Sequence, residues 1–206
     1  YGLFPNFGDY RREDYMPQAK AAALKALALD PNLAEAHASL GEVLFYYEYD
    51  WAGAEKAFKR AIELNPKYAT AHQWYAELLV YSGRQDQALK HAATALELEP
   101  FSLIINREMT YWLIYAKQFE QALVQNKRDH ELFPEDVGFH AVNATIYYAH
   151  GQYPQPYEEF FLSAKANKNV TPENLQKAKE AYEKGGWDSF SKMVEEILLA
   201  NLEKKR

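Results

Sequence analysis

The sequence predicts an all-α fold, a repeated array of antiparallel helix pairs, from three observations. Prolines recur at a nearly constant spacing, at Pro31, Pro66, Pro100 and Pro134. The first three end similar segments, which read ALALDP, AIELNP and ALELEP. Small residues recur in the same phase, four and then three positions apart, so they share one helix face. A fixed period of about 34 residues is typical of a repeat solenoid.

The predicted helices follow from this period. A single helix over about 16–29 comes first, and its partner is expected in or before residues 1–15. We therefore expect the chain to begin inside a repeat, as a piece of a longer protein. Four pairs are predicted next, over about 33–47 with 51–64, 67–82 with 85–98, 101–116 with 119–132, and 135–150 with 154–166. A last pair, about 172–184 and 187–203, is joined by Gly185 and Gly186 and is expected to cap the array.

These helices group into one predicted domain of repeats, at about 1–32 (partial), 33–68, 69–102, 103–136 and 137–168, with 170–206 as the cap. Close approach within each pair is predicted from a row of small residues on the first helices: Gly41, Ala76, Thr110 and Ala144. The matching row on the second helices contains Ala23, Phe58, Ala92 and Asn126. Gly83 and Gly151 fall in the turns between paired helices, where a left-handed residue is often needed.

Composition excludes several classes of function. The formal net charge is −6, and an acidic chain without a basic block is poorly suited to bind nucleic acid. The chain has no cysteine, which excludes disulfides and thiolate chemistry. No apolar run approaches the ~18 residues needed to cross a bilayer, and no secretory signal is present, so membrane insertion is not expected. We expect a cytoplasmic location, or a periplasmic or other extracytoplasmic one if a parent protein is membrane-anchored.

Catalytic and metal chemistry is not predicted. His37, His72 and His140 share one phase of the repeat, but neighbouring repeats lie ~10 Å apart, so these imidazoles cannot share one metal ion. We interpret them as half-buried packing residues. The sequence has no glycine-rich phosphate loop and no nucleophile elbow. We therefore predict no enzymatic activity, no cofactor and no metal site.

A helix–turn–helix unit of about 34 residues, with this pattern of small, aromatic and proline residues, resembles the tetratricopeptide repeat. The resemblance implies that the helix pairs form a right-handed superhelix. The resemblance covers nearly the whole chain and is best over 34–66 and 69–100. It weakens later, since Asn126 and Asp129 replace small or aromatic residues of the family pattern. Pro156 replaces an alanine, so the second helix of that pair is expected to begin late, with Pro154 or Pro156 in its first turn.

A narrower resemblance rests on five segments: AEAHASLGEVL (34–44), YDWAGAE (49–55), ATAHQWYA (69–76), SLIIN (102–106) and GGW (185–187). These are similar to the C-terminal repeat region of bacterial multidomain signalling proteins. In such proteins a winged-helix, protein-kinase or cyclase domain precedes the repeats. The resemblance implies that this chain belongs to a larger signalling or transcription-regulatory protein.

The first helix of each pair is expected to line a concave groove. Positions pointing away from the core form an aromatic and acidic strip, which we predict to be exposed and to bind a partner. The candidate residues are Glu42, Phe45, Tyr46, Trp74, Glu77, Tyr81, Arg107, Glu108, Tyr111, Tyr115 and Tyr148. The alternative is that these aromatics pack against neighbouring repeats or that the C-terminal helix fills the groove.

The leading hypothesis is a protein-interaction module that binds an extended or helical peptide, neutral to basic in charge. One branch of the family clamps an acidic C-terminal tail with lysine, asparagine and arginine. The corresponding positions here hold Glu35, Ser39, Thr70, Trp74, Ile104 and Glu108, so such a tail is not expected. Two alternatives are a regulatory or substrate-docking domain of a multidomain kinase or cyclase, and a structural array that only forms a homodimer.

Overall fold

The computed structural model describes residues 12–136, 138–151, 155–166 and 171–203, and within these ranges its regular secondary structure is entirely α-helical. It forms two compact units, Tyr1–Ala116 and Lys117–Arg206. The predicted all-α fold of consecutive helix pairs is confirmed. The helix predicted as the partner of the first one would include residues 1–11, which lie outside the described residues.

The first unit contains six helices in the described residues. They are α1 (Arg12–Leu29), α2 (Ala34–Tyr46), α3 (Trp51–Leu64), α4 (Ala69–Tyr81), α5 (Gln85–Leu98) and α6 (Leu103–Tyr115). Each helix packs against the next one in the sequence, and α2 with α3 and α4 with α5 form the most extensive pairs. In addition, α4 contacts both α2 and α6. The first helices of successive pairs therefore lie side by side.

The second unit contains α7 (Phe119–Leu132), α8 (Phe139–His150), α9 (Gln155–Ala166) and α10 (Pro172–Glu203). Here too each helix contacts the next along the chain. Pro156 lies in the first turn of α9, as predicted. Gly185 and Gly186 leave the helical conformation, with φ of −146° and 62°, so α10 consists of the two predicted helices.

Two helices begin four residues away from the expected start. Helix α1 begins at Arg12, about one turn before the predicted start. Helix α8 begins at Phe139, four residues after the predicted start. The delay has a local cause, because the Asp136 side chain accepts a hydrogen bond from the Gly138 backbone N–H at 3.1 Å and closes a turn there.

Steric fit joins α2 to α3. A Cβ atom added to Gly41 would lie 2.6 Å from Cε1 of Phe58, which is closer than carbon atoms pack. The Phe58 side chain fills this space and is fully buried. Further along the small row, Ala76 and Thr110 are also fully buried. The predicted row of small residues therefore does lie at the helix contacts of the first unit.

The turns between paired helices share a left-handed residue. Gly83 and Gly151, which were predicted for this role, have φ of 75° and 73°. One repeat before each of these glycines, Tyr49 and Lys117 have φ of 56° and 58°. Side chains other than glycine rarely adopt this conformation. The geometry of the repeat thus imposes a left-handed residue at this place even where the sequence provides a tyrosine or a lysine.

Within the described part of the chain, no helix combines the length and the apolar character needed to span a bilayer.

Candidate functional site

The first unit carries nearly all of the predicted groove residues. Helices α2, α4 and α6 hold every candidate except Tyr148, which is on α8 of the second unit. The ring of Tyr148 packs near that of Trp187, with centroids 5.5 Å apart. In the first unit the predicted groove is therefore made of side chains from three neighbouring helices, α2, α4 and α6.

Two tyrosines of this groove are open to solvent. Tyr81 on α4 is 49% exposed and Tyr115 on α6 is 44% exposed. The remaining aromatics, Tyr46, Trp74 and Tyr111, are half-buried and pack on the largest apolar cluster of the unit. Glu42 and Arg107 are also half-buried. The rings of Tyr81 and Tyr115 are thus exposed at the surface, whereas the other three rings are partly covered by the apolar cluster.

Phe45 does not belong to the exposed strip, so this part of the prediction is wrong. Its side chain is only 5% exposed. The ring meets that of Trp51 on α3 edge-on at 5.5 Å and lies 5.9 Å from that of Tyr81 on α4. Since α2 contacts both helices, their side chains cover Phe45, and this residue packs in the core instead of facing a partner.

Two acidic side chains of the strip are buried as well, contrary to the expected exposure. Glu77 on α4 is 3% exposed and Glu108 on α6 is 7% exposed. The Glu77 side chain is hydrogen-bonded to the hydroxyl of Tyr46 on α2, and Glu108 is hydrogen-bonded to Gln73 on α4. These two glutamates, here named the acidic pair, come from neighbouring first helices of the groove.

The acidic pair is electrostatically coupled. Burial, followed by the charge of Glu77, raises the pKa of Glu108 to about 8. Burial and then Glu77 also raise the pKa of Tyr46 far above its ordinary range. The pKa of Tyr81 is raised as well, first by burial and then by Glu77, Tyr115 and Glu108. Glu108 therefore keeps its proton near neutral pH, because burial and the nearby carboxylate of Glu77 both disfavour its charged form.

The Oε2 atom of Glu108 is buried and accepts no hydrogen bond from any residue that the structure describes. Buried oxygens of native proteins nearly always have a partner, so this atom calls for an explanation. The described groups that shift the pKa of Glu108 include no cation. This oxygen can therefore still accept a hydrogen bond.

The polar role of His37, His72 and Asn106, which occupy the same position in successive repeats, was not predicted from the sequence. Each side chain hydrogen-bonds the carbonyl oxygen of the proline six residues before it, and the distances are 2.9, 3.1 and 2.9 Å in that order. The packing interpretation of the histidines therefore leaves out a polar role at the turn between repeats. The constant spacing of six residues after each proline was the signal in the sequence.

The bond from His72 fixes the tautomers of two histidines. Because the Pro66 carbonyl can only accept, Nε2 of His72 carries a hydrogen and Nδ1 is left as an acceptor. The Nδ1 atom of His91 lies 3.0 Å from it and must donate. Burial, together with His72, lowers the pKa of His91 to about 4. Within the described residues no cluster of three or more potential metal ligands is present.

Comparison with known proteins gives one match to a family model. The tetratricopeptide repeat model matches residues 46–104, which include α3, α4 and α5. Among curated proteins, no sequence gives a significant match.

Several solved structures resemble the chain in fold. PilW, a widely conserved type IV pilus biogenesis factor, is 21% identical, with 93% of this chain and 88% of PilW covered at a TM-score of 0.74. PilF of Pseudomonas aeruginosa is 20% identical, with 88% and 82% covered and a TM-score of 0.68. YrrB is 18% identical, with 82% and 85% covered and a TM-score of 0.63.

At these identities the structural likeness concerns the fold alone. It agrees with the helix pairs described above, which pack as they do in these solenoids. The tetratricopeptide repeat model thus matches the part of the chain from residue 46 to residue 104, and the solved structures share the solenoid fold.

Proposed function

We propose that the chain is a protein-interaction module and that the groove of α2, α4 and α6 holds a peptide segment of another protein. The observation that carries this proposal is the pairing of exposed Tyr81 and Tyr115 with the acidic pair on the same helices. Tyrosine gives a large contact area and a hydrogen-bonding tip at little cost in side-chain entropy. A likeness of fold to YrrB, described as a TPR protein with an unusual peptide-binding site, supports the proposal.

The partner is a neutral or basic segment. Glu35 and Glu42 lie on α2 and Glu77 lies on α4, both of them first helices of the groove. An acidic tail would meet like charges here and would be repelled. Charge complementarity therefore favours a segment that brings at least one cation.

The same proposal gives the chain a non-enzymatic role within a larger bacterial signalling or transcription-regulatory protein. The five sequence segments that resemble such proteins support this context. If the parent protein is a kinase or a cyclase, the groove would dock its substrate or its regulator instead. A chain that only self-associates is the remaining alternative, and light scattering at two concentrations distinguishes it by mass.

The groove can be tested at its two exposed rings, where truncation disturbs the core least. Peptides would first be selected from a displayed random library against the chain and then synthesised. The Tyr81→Ala and Tyr115→Ala double variant should weaken their binding at least tenfold, measured by isothermal titration calorimetry. Phe101→Ala is the matched control, because Phe101 is an exposed aromatic in the turn between α5 and α6. Equal affinities of the double variant and the wild type would refute the groove.

A further inference from the structure

Three exposed aromatic rings lie at the same end of the first helices of the groove. Tyr81 and Tyr115 are the last residues of α4 and α6, and Trp51, the first residue of α3, is 40% exposed. The rings of Trp51 and Tyr81 both pack near that of Phe45, with centroids at 5.5 and 5.9 Å. Tyr115 is close enough to Tyr81 to act on its pKa. These three exposed rings, Trp51, Tyr81 and Tyr115, are here named the aromatic edge.

The charged side chains in the α2–α3 and α4–α5 turns are compensated within the fold. Glu48 forms an ion pair with Lys20. Asp50 caps the N-terminus of α3. Arg84 donates hydrogen bonds to both carboxylate oxygens of Glu55, each at 2.9 Å. At these two turns the aromatic edge therefore offers ring faces and polar ring tips to a ligand, and charge complementarity favours an uncharged stretch of peptide against the rings.

We propose that the aromatic edge binds a proline-rich segment of the partner in the polyproline II conformation. This inference rests on the proposed function, since it names the class of peptide that the groove holds. Aromatic surfaces are a recurring means of binding such segments. Here the proposal depends on two properties of the edge, the spacing of its rings and the hydrogen-bonding state of its tyrosines.

The spacing of the rings favours polyproline II over a strand or a helix. Tyr81 and Tyr115 occupy the same position in successive repeats, on the neighbouring helices α4 and α6. Packed helices lie ~8–10 Å apart. A polyproline II segment repeats one face every three residues, at ~9.3 Å, and can therefore place a proline on each ring. A strand repeats its face at ~6.7 Å and an α-helix at ~5.4 Å, so successive residues of one face would not meet both rings.

The hydroxyl groups of the two tyrosines are suited to the backbone of the same segment. Within the described part of the chain, neither Tyr81 nor Tyr115 donates a hydrogen bond from its hydroxyl. Burial raises the pKa of Tyr81, so its hydroxyl keeps the proton and can donate. A polyproline II segment has no internal hydrogen bonds, and its carbonyl oxygens are free to accept. Because the segment is already stiff, little entropy is lost when it binds.

The test uses three acetylated, amidated decapeptides. They are decaproline, a peptide with prolines at every third position among alanines, and its isomer with the same number of prolines at every second position. Each is titrated into the full chain by isothermal titration calorimetry. The double variant Tyr81→Phe and Tyr115→Phe keeps both rings and removes the hydroxyls, and Trp51→Ala removes the third ring. Phe101→Ala is the matched control, because Phe101 is exposed beside the opposite end of α6.

We expect decaproline to bind, and the peptide with prolines at every third position to bind about fivefold more tightly than its isomer, because only the former places prolines on successive rings. The double phenylalanine variant should weaken decaproline binding about fivefold, since the hydrogen bonds to its carbonyl oxygens are lost. Trp51→Ala should weaken it about tenfold. Phe101→Ala should leave it unchanged. Circular dichroism checks that every variant is folded.

The inference and the proposed function fail in different ways. If the peptides selected from the random library bind but decaproline does not, or if the two isomers bind equally, proline recognition is wrong and the peptide groove stands. An effect of Phe101→Ala as large as that of the tyrosine variant also overturns the inference, because binding would then lie outside the aromatic edge. If neither the selected peptides nor decaproline bind, both the inference and the groove are wrong.

Discussion

The two units place different chemistry at equivalent positions of the repeat. In the first unit, Gly41 lets the ring of Phe58 fill the space between α2 and α3. In the second unit, Asn126 stands in the row of Phe58 and donates hydrogen bonds to the Phe139 carbonyl oxygen at 3.0 Å and to Asn143 at 2.8 Å. The former contact is steric and apolar, whereas the latter is polar and directional.

The polar contact continues as a network across three helices. Asn143 on α8 donates to Oε1 of Glu159 on α9 at 3.2 Å, and the other oxygen of Glu159 lies 2.6 Å from Nδ1 of His140. Asn126 and Asn143 are both buried. Buried polar groups are tolerated when every member has a partner, and the chain of bonds then specifies one arrangement of the helices. The contact between helices is thus made by close packing in the first unit and by a set of hydrogen bonds in the second.

The largest effect is expected in the first unit, from Gly41→Val. The new side chain would occupy the space of Phe58, and overpacking of this kind costs about 2–3 kcal/mol. Urea unfolding followed by circular dichroism measures the loss, and hydrogen exchange of α2 and α3 locates it. The second variant Phe58→Leu in the same chain should restore part of the stability, because a shorter side chain leaves room. If Gly41→Val keeps the stability of the chain and the hydrogen exchange of α2 and α3 is unchanged, the contact between Gly41 and Phe58 is loosely packed.

A smaller effect is expected in the second unit from Asn126→Ala, although alanine is the residue of this row at Ala92. Removal of the amide leaves the carbonyl of Phe139 and the side chain of Asn143 without their donor, which costs about 2 kcal/mol. A double-mutant cycle with Asn143→Ala measures the coupling, and it should exceed ~0.5 kcal/mol. If Asn126→Ala does not change the free energy of unfolding, the two units differ at this position in sequence but not in what stabilises them.

The helices and their pairing could be predicted because they depend on a periodic pattern. The spacing of Gly41, Phe58 and the prolines appears directly in the sequence. The left-handed position was found at Gly83 but missed at Tyr49, since tyrosine carries no local signal for this conformation. Only the period of the repeat connects the two positions.

The environment of the groove residues could not be predicted in the same way. Helical phase shows which side chains share a face, and it placed Tyr81, Glu77 and Glu108 on the first helices. Their burial depends on the side chains of neighbouring helices, which a row of one helix does not show. For this reason Glu77 and Glu108 were expected to be exposed and are buried. The partners of Asn126 were hidden for the same reason.

Acid should affect the first unit through His72 and His91. Burial is the largest cause that lowers the pKa of both histidines below 6.5. The pKa of His91 falls to about 4. The folded state therefore favours the neutral rings, so their contribution is complete above pH 6.5 and declines as the pH falls towards 4. We expect a loss of about 1–2 kcal/mol over this range, measured by urea unfolding at each pH.

His91→Gln should remove the larger, His91 part of this decline without affecting a second one at lower pH. The second decline belongs to Glu55, whose pKa is lowered to about 2 by hydrogen bonds from Lys59, Arg84 and Tyr75. Its contribution is complete above pH 4.5 and is lost as the pH falls towards 2. A profile between pH 6.5 and 4 that is the same in wild type and His91→Gln would contradict the assignment to the histidine pair.

The smallest effect is expected at the turns, where the two units follow the same rule. Tyr49 in the first unit and Lys117 in the second are exposed and have positive φ, as Gly83 and Gly151 do. Glycine adopts this conformation without steric strain, although it loses more entropy on folding, so Tyr49→Gly and Lys117→Gly should each stabilise the chain by about 0.5 kcal/mol. The reverse change Gly83→Ala should destabilise it by more than that, because a Cβ at this φ is strained even though nothing lies within 4 Å. Thermal unfolding at matched concentration compares the three variants. A rise in stability for one glycine variant with a fall for the other would show that local contacts of the tyrosine or lysine outweigh the backbone strain, and that the rule does not hold for both units.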